Sequence, residues 1–96
     1  MNMSLGGPAN LMLDQAVRRL TSSGVHVAVA AGNDNLPAEG TSPAHEPTAC
    51  TVGASDINDA RASFSNYGTP VKVFAPGVAI TSAWKDSDTV GSFFKL

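Results

Sequence analysis

The chain has 96 residues, a formal net charge of −2 and 43% hydrophobic residues, room for one small domain with an ordinary apolar share. That balance has no basic footprint, so nucleic acid is not expected as a partner. No apolar run nears the roughly 20 residues that cross a bilayer, so no membrane partner is expected either. The start has no charged region followed by an apolar one and does not read as a signal peptide. One cysteine, Cys50, has no partner within the chain, which leaves the redox compartment open.

Asn2 to Leu5 reads as a short strand ending in Gly6-Gly7. A helix is predicted at about 9–23, with Pro8 near its start and Asn10 the better cap chemically. Leu13, Ala16, Val17 and Leu20 make one apolar stripe, while Asp14, Gln15, Arg18 and Arg19 lie off it and are expected to face water. Gly24 ends the helix as a left-handed residue. Val25 to Ala31 is a nearly all-apolar strand of the kind buried on both faces of a parallel sheet. Strand, helix and strand then form a βαβ unit. His26 is expected at a rim rather than in chemistry.

Asn33 to Thr48 reads as a long loop, a length often tied to function. Cys50 to Ala54 is a third strand, with Cys50 expected as a buried, inert thiol. Asp56 to Asp59 is an Asx turn. Ala62 to Ser65 and Val71 to Phe74 are predicted strands around a turn at Asn66-Tyr67-Gly68. Pro76-Gly77 is a turn and Ile80 to Trp84 a last strand. The fold class is α/β, with a mostly parallel sheet and one main helix.

The run Val27-Ala28-Val29-Ala30-Ala31-Gly32-Asn33 ends abruptly in a side-chain amide at the carboxyl end of a strand. Open α/β sheets place ligands there, and an amide N–H there can stabilise a developing oxyanion. Around it stand Asn2-Met3-Ser4-Leu5-Gly6-Gly7, Ser42-Pro43-Ala44, Thr51-Val52-Gly53-Ala54-Ser55-Asp56, Phe64-Ser65-Asn66-Tyr67-Gly68 and Phe74-Ala75-Pro76-Gly77. Together they resemble the subtilisin-like serine proteases, closest to the proteinase K group. The resemblance covers about residues 2–84 of one partial peptidase domain spanning 1–96, with 85–96 a divergent tail. It implies part of a doubly wound sheet.

The resemblance implies roles residue by residue. Asn33 matches the oxyanion-hole asparagine. Ser4, Leu5, Gly6 and Gly7 match a rim that pairs with the substrate main chain, which is β-augmentation. Ala30, Ala31 and Gly32 match a wall of the primary specificity pocket, where small side chains imply a broad apolar preference. A peptide or protein substrate and an extracellular location of the full enzyme follow from the family, as does a distant partner for a cysteine like Cys50.

The resembled proteinases also hold calcium through main-chain carbonyls at the positions of Pro47 and Ala49 and through an aspartate. The ungapped match from Phe64 to Gly77 puts Lys72 at the aspartate's position. An ammonium has no lone pair and repels a cation, so the calcium site is expected to be lost and no cofactor or metal is assigned. His45 and Glu46, adjacent in sequence, do not make a zinc site.

A hydrolytic triad needs serine, histidine and aspartate in mutual geometry. The family's contexts, Asp-Thr/Ser-Gly, His-Gly-Thr and Gly-Thr-Ser-Met-Ala, do not occur in this sequence. Ser92 follows a glycine but lacks the rest of the nucleophile motif, and His26 and His45 are the two available bases. The chain by itself is therefore expected to be inactive. Three readings follow: a segment of a subtilisin-like endopeptidase, a non-catalytic protein that binds peptides or a partner, or a gene fragment without a selected role. Flanking sequence carrying the triad separates the first from the others, and cooperative unfolding separates the second from the third.

Overall fold

A computed structural model describes the backbone of residues 1–84 and 87–94 and the side chains of 1–83. Strand β1 (Asn2–Met3) runs into β2 (Gly7–Pro8), and helix α1 (Leu11–Ser22) follows. Asn10 caps the helix: its backbone is extended and its Oδ1 accepts from Leu13 N–H at 3.1 Å, satisfying one of the donors left unpaired at a helix start. The far end closes with a Schellman arrangement. Gly24 sits at φ +98°, its N–H donates to Thr21 O at 3.1 Å and Val25 N–H donates to Leu20 O at 3.2 Å.

Helix α1 returns the chain to β3 (Ala28–Ala30), which lies parallel to β1. Strands β4 (Thr41–Ser42), β5 (Cys50–Ser55) and β6 (Val73–Pro76) follow. The main sheet has the order β1-β3-β5-β6, with every neighbour parallel. Strands β2 and β4 form a separate antiparallel pair. The core lies between α1 and one face of the main sheet. Val17 packs there with Val27, Val29 and Ala49, with Met3 and Leu20 at the margin.

Several expectations need correction. Asp14 is 7% exposed rather than facing water, and Ala16 of the expected stripe is exposed. The helix leans so that its 14–17–20 side meets the sheet and the following loop. Within the expected Val25–Ala31 strand, β3 itself is Ala28–Ala30, with flanking bonds to β5 through Val27 O and Ala31 N–H. Cys50 is exposed rather than buried. It alternates with Ala49 and Thr51, both fully buried, so it points to the sheet face away from α1. The loop from Asn33 to Thr48 contains a 3-10 turn at Ala38–Gly40 as well as β4. Ala62 to Ser65 is a turn, not a strand: Ser65 N–H donates to Ala62 O at 3.0 Å. The Ser65 hydroxyl does what a ladder bond would do, accepting from Ala54 N–H at 3.0 Å. Gly53 is needed beside it, because a Cβ there would lie 2.5 Å from the Phe74 ring.

The Asx turn is as expected, with Asp56 Oδ1 accepting from the N–H groups of Asn58 and Ala60 at 2.9 and 3.0 Å. His26 is exposed, at a rim. Strand β7 (Ile80–Trp84) pairs antiparallel with β8 (Ser87–Phe94), an element not read from the sequence. Ser92 stands opposite Ser82 in that ladder, and its side chain lies outside the described residues.

Candidate substrate groove and oxyanion site

The segment from Ala31 to Leu36 leaves the carboxyl end of β3, and one buried side chain shapes it. Asn66 is fully buried. Its Nδ2 donates to Ala31 O at 2.9 Å, and its Oδ1 accepts from Asp34 N–H and Leu36 N–H, both at 3.0 Å. Its own N–H donates to Gly32 O at 2.9 Å. Gly32 adopts φ +107°, and a Cβ there would lie 2.4 Å from Asn66 Nδ2. Glycine is therefore required twice over, by backbone angle and by contact. Asn35 ties the far side, its N–H donating to Phe64 O at 2.9 Å and its Oδ1 accepting from Arg61 at 2.9 Å. Arg61 also donates to Ser65 O at 2.6 Å and lies 4.9 Å from the centroid of the Tyr67 ring. Asn33 stands at the exposed bend of this braced segment.

Asn33 opens onto a groove of about 580 Å³ lined by Ser4, Leu5, Gly6 and Gly7 on one side and by Ala30 and Gly32 on the other. These are residues that the sequence singled out from two separate stretches of chain, 4–7 and 30–33. Ala31 is not among the lining residues; its side chain is 1% exposed and faces the core. The alternation of a strand turns it away from Ala30. Ser4, Leu5 and Gly6 belong to no strand and are exposed, the kind of free edge to which an extended peptide can add. The floor and far wall include Leu36 and Thr41, which sequence reasoning missed. Leu36 is 57% exposed and Leu5 54%, so two apolar side chains border the groove. A lone leucine in the polar run Asn33-Asp34-Asn35-Leu36 was the available signal.

Ser42, His45 and Asp14 come together where the helix start meets the loop, a set with triad chemistry in name only. His45 Nε2 is 3.2 Å from Ser42 Oγ and also makes a short bond with Asp14 Oδ2. A relay needs the two ring nitrogens to serve different partners, whereas here one nitrogen serves both. Ser42 is fully buried, and its Oγ already accepts from Asn10 N–H at 2.7 Å. The cluster is a clasp between the helix start and the loop.

A second clasp joins the same elements. Arg18 donates to Glu46 Oε1 at 2.6 Å, with the Arg18 side chain 58% and the Glu46 side chain 1% exposed. Thr48 N–H and Oγ1 donate to Glu46 Oε2 at 3.1 and 2.5 Å. Burial pushes the Glu46 carboxyl up, but the bonds from Arg18 and Thr48 together outweigh it and hold the group below its ordinary value. The same pairing holds the Arg18 guanidinium above its ordinary value. On the opposite side of the loop, Lys72 Nζ donates to Pro47 O at 2.5 Å and to Ala49 O at 2.6 Å.

A parallel sheet with a braced amide at the carboxyl end of a strand, beside a groove bordered by a free main-chain edge, defines an α/β protein with a candidate peptide site. The chain belongs to the Subtilase family of peptidases, whose sequence model matches residues 1–95. It is 65% identical over 83 residues to an alkaline serine protease, ver112, of Corniculantispora psalliotae, covering 86% of this chain and 22% of that protein. It is 58% identical over 83 residues to a cuticle-degrading protease of Metarhizium anisopliae, covering 86% and 21%. Its fold superposes on a crystal structure of a cold-adapted subtilisin-like serine proteinase with a TM-score of 0.93 at 47% identity, covering 98% of this chain and 34% of that one. The chain thus spans about a fifth of the length of these curated relatives. It is similar to one segment of the subtilisin-like serine proteases of proteinase K type.

Proposed function

We propose that this chain supplies the oxyanion donor and one side of the substrate groove of a subtilisin-like serine endopeptidase with a broad apolar preference. The observation that carries the reading is Asn33 at the bend of a segment braced by Asn66, opening on the groove formed with Ser4 to Gly7. In the reaction, a serine oxygen attacks the peptide carbonyl while a histidine takes its proton. The carbonyl oxygen gains negative charge, and the Asn33 amide N–H donates to it. The intermediate collapses, the amine leaves with the proton, and water hydrolyses the acyl-enzyme by the same route. The serine, histidine and aspartate come from outside these 96 residues. The contribution of this segment is to hold the peptide extended along Ser4–Gly7, to seat an apolar side chain by Ala30 and Gly32, and to stabilise charge. Like the family, the whole enzyme acts outside the cell on peptide or protein substrates.

The test is titration of the chain with an extended apolar peptide, followed through amide chemical shifts. Shifts concentrated at Ser4–Gly7 and Ala30–Asn33 are expected. Shifts confined to other regions, or none at millimolar peptide, would count against the reading.

A further inference from the structure

Two main-chain carbonyl oxygens turned towards one point make a focus of negative potential, and the group placed there must donate or carry positive charge. The Pro47 and Ala49 carbonyls form such a focus, and Lys72 Nζ fills it at 2.5 and 2.6 Å. The ammonium therefore stands on that focus as a bound cation would.

The residues do not fit a metal as well. Calcium takes about six to eight oxygens, commonly with carboxylates among them. The third side chain here is cationic and offers no lone pair. For a metal to enter, the ammonium would have to give up both carbonyls and remain tethered beside a divalent charge.

We propose that Lys72 is a built-in cation that replaces a metal ion at the junction of the 47–49 loop with β6, making this junction independent of calcium. Both sides are anchored. Ala49 is fully buried and packs in the core with Val17, Val27 and Val29, and the next residue donates through Cys50 N–H to Val27 O at 2.8 Å. The Lys72 main-chain N–H donates to Thr51 O at 2.9 Å, fixing the lysine at the head of β6. The ammonium thus straps residues 23 and 25 positions away in sequence. A tethered charge cannot be chelated or diluted, so the strap is closed whatever the calcium supply.

The experiment compares the chain with Lys72→Met and Lys72→Asp by thermal melting and by calorimetric titration with calcium. The unsubstituted chain is expected to melt at the same temperature in calcium and in chelator. Lys72→Met should melt lower in both, without a calcium response. Lys72→Asp should melt low in chelator and recover by about 5 °C or more in calcium at roughly tenfold its dissociation constant, with heat of binding in the titration. A Lys72→Asp chain that is unfolded in chelator and folds on adding calcium counts in the same direction. The proposal is overturned if calcium raises the melting temperature of the unsubstituted chain, if Lys72→Met melts no lower than it, or if Lys72→Asp neither binds nor responds to calcium.

Discussion

Asn66 shows how one buried amide can set the shape of a site it does not line. It holds the segment carrying Asn33 through the carbonyl of Ala31 and the N–H groups of Asp34 and Leu36. Replacing it by alanine leaves buried donors and acceptors unpaired, so Asn66→Ala is expected to cost about 3 kcal/mol. The loss should be local first: in hydrogen exchange, the Asp34 and Leu36 amides should lose protection before the β3–β5 ladder does. Asn33 itself was legible because it ends an apolar run at a glycine. Asn66 was not, because its partners lie 30 to 35 residues away, and a Ser-Asn-Tyr-Gly run reads locally as a turn. The buried Asp14 escaped for the same reason. Its partner His45 is 31 residues on, and helical periodicity says nothing of a charge that a loop will cover.

Glu46 ties stability to pH. Its folded-state pKa lies below the ordinary 4.5. The stabilisation it brings is therefore complete above that value and is lost as pH falls through the lower folded value. Melting temperature should decline as the solution is acidified from about pH 6 to about pH 3. Glu46→Gln should melt lower at the upper pH and show a shallower decline.

Among the elements, helix α1 was the most legible, because its signals are local. Asn10 offers an oxygen to the first turn, and Gly24 permits the left-handed exit. Asn10→Ala is expected to cost about 0.5–2 kcal/mol, typically near 1, measured by urea unfolding, and Asn10→Asp should restore most of it. Strands were legible where an apolar run was long enough to be seen, as in Val27 to Ala31. They were not where tertiary contacts decide the ladder. Ala62 to Ser65 has strand-like composition, yet its backbone meets β5 once, Ala62 N–H donating to Ala54 O at 2.9 Å, before the chain turns and the Ser65 hydroxyl accepts from Ala54 N–H. The β2–β4 pair consists of two-residue strands containing Gly7 and Pro8, residues that ordinarily argue against a strand.

For the molecule as a whole, the sheet has one face under α1 and another that, among the described residues, no helix covers. On the bare side Ala28, Ala30, Val52 and Ala75 border an apolar hollow of about 260 Å³, and Val73 is 47% exposed. Surface of this kind draws a partner or promotes association. The chain by itself is expected to bind a hydrophobic dye and to sediment with concentration-dependent mass, and Val73→Lys should reduce both. The parallel βαβ plan was readable from the sequence. The order β1-β3-β5-β6 was not, since register between strands separated by loops depends on contacts that no local pattern carries.

The role proposed for these residues is to bind and polarise a peptide without cleaving it. It is tested most directly by incubating the purified 96-residue chain with a broad apolar peptide substrate, with and without a serine-directed covalent inhibitor. No inhibitor-sensitive turnover is expected. Inhibitor-sensitive turnover would contradict it, and would mean that a serine of this chain is activated by His26 or His45.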